Sequence, residues 1–237
     1  MPISMVVFDV NETLSDLAPL ERRFTDIGAP SHLAQVWFAS LLRDGFALTG
    51  LGEARPFAEL GRELLRDALQ TLASVGDVET AVSHVMSGFA ELGLHPDVVP
   101  GIQALRRSGL RLVTLSNGAA SVAERLLSTA GLREEFERVL TVEDAGIWKP
   151  AAGAYQYATR ICGVDAAETL MVATHPWDIH GAARAGLRTV WINRRQRRYP
   201  TYFQLPDHVV TGVDDLAARN LSHDVRHQPG SASAVPA

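Results

Sequence analysis

The sequence predicts an α/β fold, a Rossmann-like open parallel sheet with an inserted helical cap, on three observations. Short apolar runs rich in β-forming residues recur along the chain, each flanked by a helix-like stretch with turn residues between, the pattern of βαβ units. After the first run comes a long segment, residues 15–95, whose apolar residues fall at helical spacing without a strand-like run. The runs also end on polar residues, among them Asp9, Ser116 and Thr174, and in an open parallel sheet the ligand lies beyond the carboxyl ends of the strands.

Ser4–Phe8 is the first run, continuous rather than alternating, as expected of a parallel strand covered on both faces. Its helical insert shows apolar stripes at Leu33/Val36/Trp37/Leu41 and at Leu60/Leu64/Leu65, and the chain returns through a Pro/Gly-rich segment, His95–Gly101, that suits a boundary. Further strands are predicted at Arg111–Leu115, Val139–Val142, Leu170–Ala173 and Thr189–Ile192. The expected organisation is therefore a core of residues 1–14 and 96–220, a cap of residues 15–95 over the crevice, and a loosely ordered tail at 221–237, where apolar surface is too sparse to pack.

Composition narrows the function. The 237 residues are 46% hydrophobic and 21% charged, ordinary for a globular protein and unlike a disordered one. With 22 basic against 27 acidic residues the net charge is −5, which gives no footprint for nucleic acid or an anionic membrane. The expected partner is a small molecule. A single cysteine, Cys162, excludes an internal disulfide, the N-terminal run meets Asp9 too early for a secretory signal, and the longest uncharged stretch, Ile27–Leu42, is too short to span a bilayer. A cytoplasmic enzyme is expected.

Asp9 carries the first chemical hint: a carboxylate at the end of a buried strand, facing a crevice, can act as a nucleophile, although an Asp there can also cap the turn. Four segments then stand in order: Asp9–Leu14, Thr114–Gly118, Trp148–Pro150 and Thr174–Gly181. Together with the insert, they resemble the haloacid dehalogenase superfamily of hydrolases. The Leu115–Gly118 sequence, the Trp177–Asp178 pair and the Lys149-to-Tyr155 spacing are most similar to its L-2-haloacid dehalogenase branch.

The resemblance implies roles. Asp9 is the nucleophile, Thr13 hydrogen-bonds it, Ser116 and Asn117 bind a substrate carboxylate or leaving anion, and Lys149 is the cation that keeps Asp9 ionised. Asp178 positions or activates water, or else caps a helix. Tyr155 reaches Lys149 or simply packs. His175 and Trp177 line the site, with His175 either bonding to substrate or exposed at the rim, and Asn11 stands beside the nucleophile as a substrate contact.

Departures from the family pattern are as informative. Phosphatases of the superfamily carry an Asp at the position of Asn11, to protonate the leaving alkoxide, and another at Thr174, to help hold Mg²⁺. Asn11 donates no catalytic proton, and with Thr174 the carboxylates left are a thin set for a hard cation. The dehalogenase branch usually has an aromatic at 11, a glycine at 12 and an Asn at 175, where this chain has Asn11, Glu12 and His175. Its halide-receiving arginine aligns with Ala39; Arg43, one helical turn later, faces either that site or solvent. The cluster Arg194–Arg198 reads as a solvated loop, and His180 has no role. The expectation is a metal-independent hydrolase with no cofactor, acting on a short carboxylic acid, with exposed apolar cap positions allowing a homodimer. The competing readings are a Mg²⁺-dependent phosphatase and a non-catalytic small-acid binder.

Overall fold

The computed structural model describes residues 2–219; the tail expected at 221–237 lies outside them. Six strands form: β1 (Met5–Phe8), β2 (Arg111–Ser116), β3 (Arg138–Thr141), β4 (Thr169–Ala173), β5 (Arg188–Ile192) and β6 (His208–Val210). All are parallel, in the order β3-β2-β1-β4-β5-β6. The winding direction reverses beside β1, between β2 and β4, and an open parallel sheet forms its crevice at such a switch point. Phe8 pairs with Thr114 on one side and Val172 on the other. Asp9, whose amide donates to the Val172 carbonyl at 3.0 Å, is thus the first residue past the end of the central strand.

Helices α1 (Leu20–Asp26), α2 (Leu33–Gly50), α3 (Phe57–Gln70) and α4 (Val78–Ala90) form the insert, and α5 (Val98–Arg107), α6 (Ala120–Thr129), α7 (Val142–Ala145), α8 (Ala152–Cys162), α9 (Pro176–Arg184) and α10 (Val213–Ala217) accompany the sheet. Alternation along the strands divides the core. Val6, Phe8, Leu112, Leu170, Val172 and Val190 pack toward α5 and α10, while Met5, Val7, Val113, Leu115, Met171 and Ala173 pack toward α8 and α9. Covered on both faces, the strands read as unbroken apolar runs. Gly101 lets α5 press on α10: a Cβ there would stand 2.5 Å from the Val213 carbonyl carbon.

The insert buries Trp37, Phe38 and Leu41 of α2 against Phe57, Leu65 and Leu69 of α3 and Val82, Val85 and Phe89 of α4, with Trp37 Nε1 donating to the Gly61 carbonyl at 2.9 Å. Trp148 joins it to the sheet layer. This fully buried indole leaves the loop before α8, stacks on Phe57 and donates to the Arg55 carbonyl at 3.0 Å. Gly45 of α2 makes room for it, since a Cβ there would lie 2.4 Å from the indole.

Several expectations need correction. Val142 opens α7 instead of closing β3, because the Thr141 hydroxyl accepts from the Glu143 amide and starts a helix. His95–Gly101 is not all irregular: Val98–Gly101 is the first turn of α5. Val36, placed on the buried stripe, is 52% exposed. β6 and α10 were not anticipated; β6 has only three residues, at the sheet edge, with Val209 facing out. Among the described residues, no helix is long and apolar enough to cross a membrane.

Candidate active site

Asp9 stands at the mouth of the switch point with both oxygens engaged. Lys149 Nζ donates to Oδ1 at 2.9 Å, and Thr13 Oγ1 donates to Oδ2 at 2.6 Å. The turn that brings Thr13 back over Asp9 is closed by the Leu14 and Ser15 amides, both donating to the Val10 carbonyl. Thr13 Oγ1 also accepts from the Thr174 amide at 3.0 Å, which directs its own proton at Asp9. Burial alone would raise the Asp9 pKa, but Lys149, His175 and Thr13 outweigh it and hold the carboxyl well below its usual range.

Lys149 has no exposed surface and bridges two carboxylates, since Nζ also donates to Asp178 Oδ2 at 2.6 Å. Burial disfavours its charge; Asp178 and Asp9 overcome this and raise its pKa, so the ammonium persists. Asn117 fixes its backbone: Asn117 Nδ2 donates to the Lys149 carbonyl at 3.2 Å, and the Lys149 amide donates to Asn117 Oδ1 at 3.0 Å. Asp178, also fully buried, gives its other oxygen to Tyr155, whose hydroxyl donates to Oδ1 at 2.6 Å. Burial and the nearby Asp9 charge raise the Asp178 pKa against the pull of Lys149, and burial beside Asp178 keeps Tyr155 a protonated donor.

The structure brings Asp9, Thr13, Lys149, Asp178, Tyr155 and His175 into one bonded cluster and sets Ser116 at the end of the neighbouring β2. Three expected contacts differ. Asn117, expected on the substrate, has its amide committed to the Lys149 backbone. Tyr155, expected to reach Lys149 or else to pack with its hydroxyl satisfied, and counted among the substrate contacts, is buried behind Asp178 and donates to that carboxylate, not to Lys149. Asp178 is the third residue of α9, whose N-cap is His175, so its side chain is free of capping and binds Lys149 and Tyr155. Ser116 Oγ accepts from the Gly118 amide at 2.9 Å, which leaves its hydroxyl proton to donate elsewhere. Asn11 Nδ2 and Ser116 Oγ both lie against Gly118.

His175 is held at the rim, its side chain 13% exposed, neither open to solvent nor idle. Nε2 meets Glu12 Oε2 at 2.8 Å, and Nδ1 lies 3.4 Å from Asp9 Oδ2, at ion-pair distance but without hydrogen-bond geometry. Burial opposes its charge, yet the Asp9 and Glu12 carboxylates push its pKa up to about 9. Trp177 stacks on it, and Phe38 and Phe46 of α2 pack on His175 and Trp177 respectively. The insert thus meets the site with aromatic rings. Arg43 turns to solvent and pairs with Asp44, and Ala39 is exposed.

Sequence reasoning missed three residues that hold the loop after β1. Glu12 adopts a left-handed backbone, φ 61°, and reaches His175. Arg194, expected to be solvated, bridges Asp97 and donates to the Thr13 carbonyl at 2.8 Å, and His95 Nε2 contacts the Glu12 carbonyl at 3.2 Å. Only Glu12 left a signal, as a side chain where the family pattern has glycine. His180 Nδ1 accepts from the Gln204 amide, away from the cluster.

The donor set does not suit a divalent cation. Asp9 Oδ1 and Asp178 Oδ2 share one ammonium, and Thr174 turns its hydroxyl to the Ile192 carbonyl at 3.1 Å. No group of three or more His, Cys, Asp or Glu among the described residues is arranged to hold a metal. A cation fixed between carboxylates keeps Asp9, at a strand end, in the ionised state in which a carboxylate can act as a nucleophile.

The family described as hydrolase, haloacid dehalogenase-like hydrolase, matches residues 3–186. The chain belongs to this family. Among similar haloacid dehalogenase-like proteins, (S)-2-haloacid dehalogenase of Pseudomonas sp. (strain YL) is 28% identical over 213 residues, covering 89% of this chain and 91% of its own. (S)-2-haloacid dehalogenase 4A of Burkholderia cepacia is 30% identical over 213 residues, with the same coverage of each, 89% and 91%. In three dimensions the chain is similar to the L-2-haloacid dehalogenase from Xanthobacter autotrophicus with chloropropionic acid covalently bound, at TM-score 0.82 and 26% identity, covering 91% of this chain and 97% of that one.

Proposed function

We propose that this haloacid dehalogenase-like hydrolase acts as a 2-haloacid dehalogenase without a metal. Asp9 displaces halide from the carbon of a short 2-haloacid, and water then opens the aspartyl ester. The observation that carries this reading is Lys149: an ammonium buried between Asp9 and Asp178 keeps the nucleophile ionised, the neutralisation that a metal supplies elsewhere. A halide leaves as a stable anion, so Asn11, which cannot protonate a leaving group, is no defect. Thr13 aims Asp9, Ser116 donates to the substrate carboxylate, Asn117 fixes Lys149, and Trp177 walls the site. The similarity to the named (S)-2-haloacid dehalogenases supports this substrate class.

The same reading makes residues 15–95 a cap domain over a core of 1–14 and 96–220. We propose alongside it a cytoplasmic enzyme, in keeping with its buried free cysteine, whose exposed apolar insert positions allow a homodimer, the mass of which sedimentation measures. The test of the function is a single turnover in ¹⁸O-water with enzyme in excess over (S)-2-chloropropionate. Halide should be released, Asp9 labelled and the first product left unlabelled. Label in the first product means direct attack by water and overturns the reading.

A further inference from the structure

Asp178 is poorly placed to prepare the hydrolytic water. It has no exposed surface, one oxygen is bonded to Lys149 at 2.6 Å, and the other is bonded to Tyr155 at 2.6 Å. His175 differs in that its buried Nδ1 is left unbonded. Its Nε2 is bound by Glu12 at 2.8 Å, whereas Nδ1 is 3.4 Å from Asp9 Oδ2 and makes no hydrogen bond among the described residues. A carboxylate on Nε2 fixes the neutral ring with its proton there and its lone pair on Nδ1, facing the nucleophile. Glu12 maintains that contact from a left-handed backbone that glycine would adopt more easily.

We propose that Glu12 and His175 form the acid–base pair of the second half-reaction: His175 Nδ1 takes the proton of the water that opens the Asp9 ester, and Glu12 holds the ring in place. The proposal rests on the ester-forming reading above. Alkylation makes an Asp9 oxygen–carbon bond, breaks the carbon–halogen bond and releases halide. Asp9 is then neutral, one of the two carboxylates that kept the ring protonated is gone, and Nδ1 gives up its proton to solvent. Water adds to the Asp9 carbonyl carbon while Nδ1 accepts its proton. The tetrahedral intermediate collapses by breaking the bond from the Asp9 carbonyl carbon to the substrate oxygen, and the imidazolium protonates the departing alkoxide. The product is a 2-hydroxy acid. The carboxylic acid left on Asp9 passes its proton to Nδ1 and restores the resting pair, so that the sum is haloacid plus water giving hydroxy acid, halide and one proton.

The groups acting on the ring come from each neighbouring element. Asp9 and Glu12 face it from the loop after β1, Lys149 and Asp178 lie beyond Asp9, and Arg195 acts on Glu12 from the loop after β5. Trp177 and, from α2, Phe38 contribute uncharged rings.

The test uses the full chain, (S)-2-chloropropionate, rapid quench and intact-protein mass spectrometry on the wild type, H175Q, E12Q and D178N. In H175Q, halide release should reach one per active site, the Asp9 ester should accumulate and its hydrolysis should slow by about 100-fold or more, in line with the loss of general acid–base catalysis. Wild-type ester hydrolysis should rise with pH through one ionisation, absent in H175Q and moved to lower pH in E12Q, a change that a merely structural role would not produce. If H175Q does not fold, the E12Q profile decides. Normal adduct formation with wild-type hydrolysis in H175Q, or an unmoved profile in E12Q, overturns this proposal alone. If the wild type releases no halide and forms no adduct, the ester reading falls and the proposal with it.

Discussion

The two oxygens of Asp9 face unlike surroundings. Oδ1 meets Lys149, a fully buried ammonium pinned by Asp178 and by the Asn117 amide on its backbone. Oδ2 meets Thr13 and, at 3.4 Å, a partly exposed imidazole tied to Glu12. The first cation titrates above the lysine range, and the second at about 9, so only the second can change charge under ordinary conditions. The Lys149 side suits a constant task, keeping Asp9 ionised. The His175 side suits a task that needs a proton to come and go. Asp9 is common to both sides and is the nucleophile of the proposed reaction, so its loss should have the largest effect: D9N should abolish halide release with the circular dichroism spectrum unchanged, barring slow deamidation back to Asp.

Removing the constant side should come next. K149M leaves two buried carboxylates without their cation, and breaking a buried pair in this way costs about 3–5 kcal/mol. Urea unfolding near neutral pH should show a loss of that size, with adduct formation abolished. The depressed Asp9 pKa sets the pH window. Its contribution to wild-type stability is present above its free value of 3.8 and is lost as pH falls through the folded value, so the gap between wild type and K149M should close in acid. A gap that persists unchanged in acid would mean that Lys149 stabilises by packing, and the contrast between the two sides would fail.

The titratable side should behave in the opposite sense. The folded pKa of His175, about 9, lies above its free value of 6.5, so its stabilisation is complete below about 6.5 and is lost as pH rises through 9. The linkage amounts to about 3 kcal/mol at most. Wild-type stability should decline across that window, and H175Q should flatten the curve. An equally steep decline in H175Q would assign the pH dependence to another group.

How much of this was readable beforehand follows the same division. Asp9, Thr13 and Asp178 sit in short segments that follow β1 and β4, and Lys149 in the loop between α7 and α8; in each, local pattern and topology agree, and the switch point of the sheet brings them together. The partner of His175 was not readable, because Glu12 lies 163 residues away and the contact depends on a left-handed turn. The two positions were visible separately as departures from the family pattern, and only the fold pairs them. Arg194 was hidden for a similar reason: in sequence it belongs to a basic loop, but in space it braces Thr13 and Asp97. β6 was lost because three residues at a sheet edge carry too little periodicity to register.

The smallest expected effect is that of a chelator, and it tests the Lys149 side from outside. A hard divalent cation prefers about six oxygen ligands. Here Asp9 Oδ1 and Asp178 Oδ2 face the same ammonium at 2.9 and 2.6 Å, the Thr174 hydroxyl is given to Ile192, and position 11 offers an amide instead of a carboxylate. A cation entering there would have to displace Lys149, whose charge has no other buried partner in these bonds. Halide release from (S)-2-chloropropionate should therefore be unchanged by EDTA and by added Mg²⁺. The variant K149A should not be rescued by Mg²⁺ either, because the two remaining carboxylates are too few to hold the ion. Full loss of turnover in EDTA, restored by Mg²⁺, would instead mean that Lys149 yields its place, and the Mg²⁺-dependent phosphatase reading would replace the one proposed here.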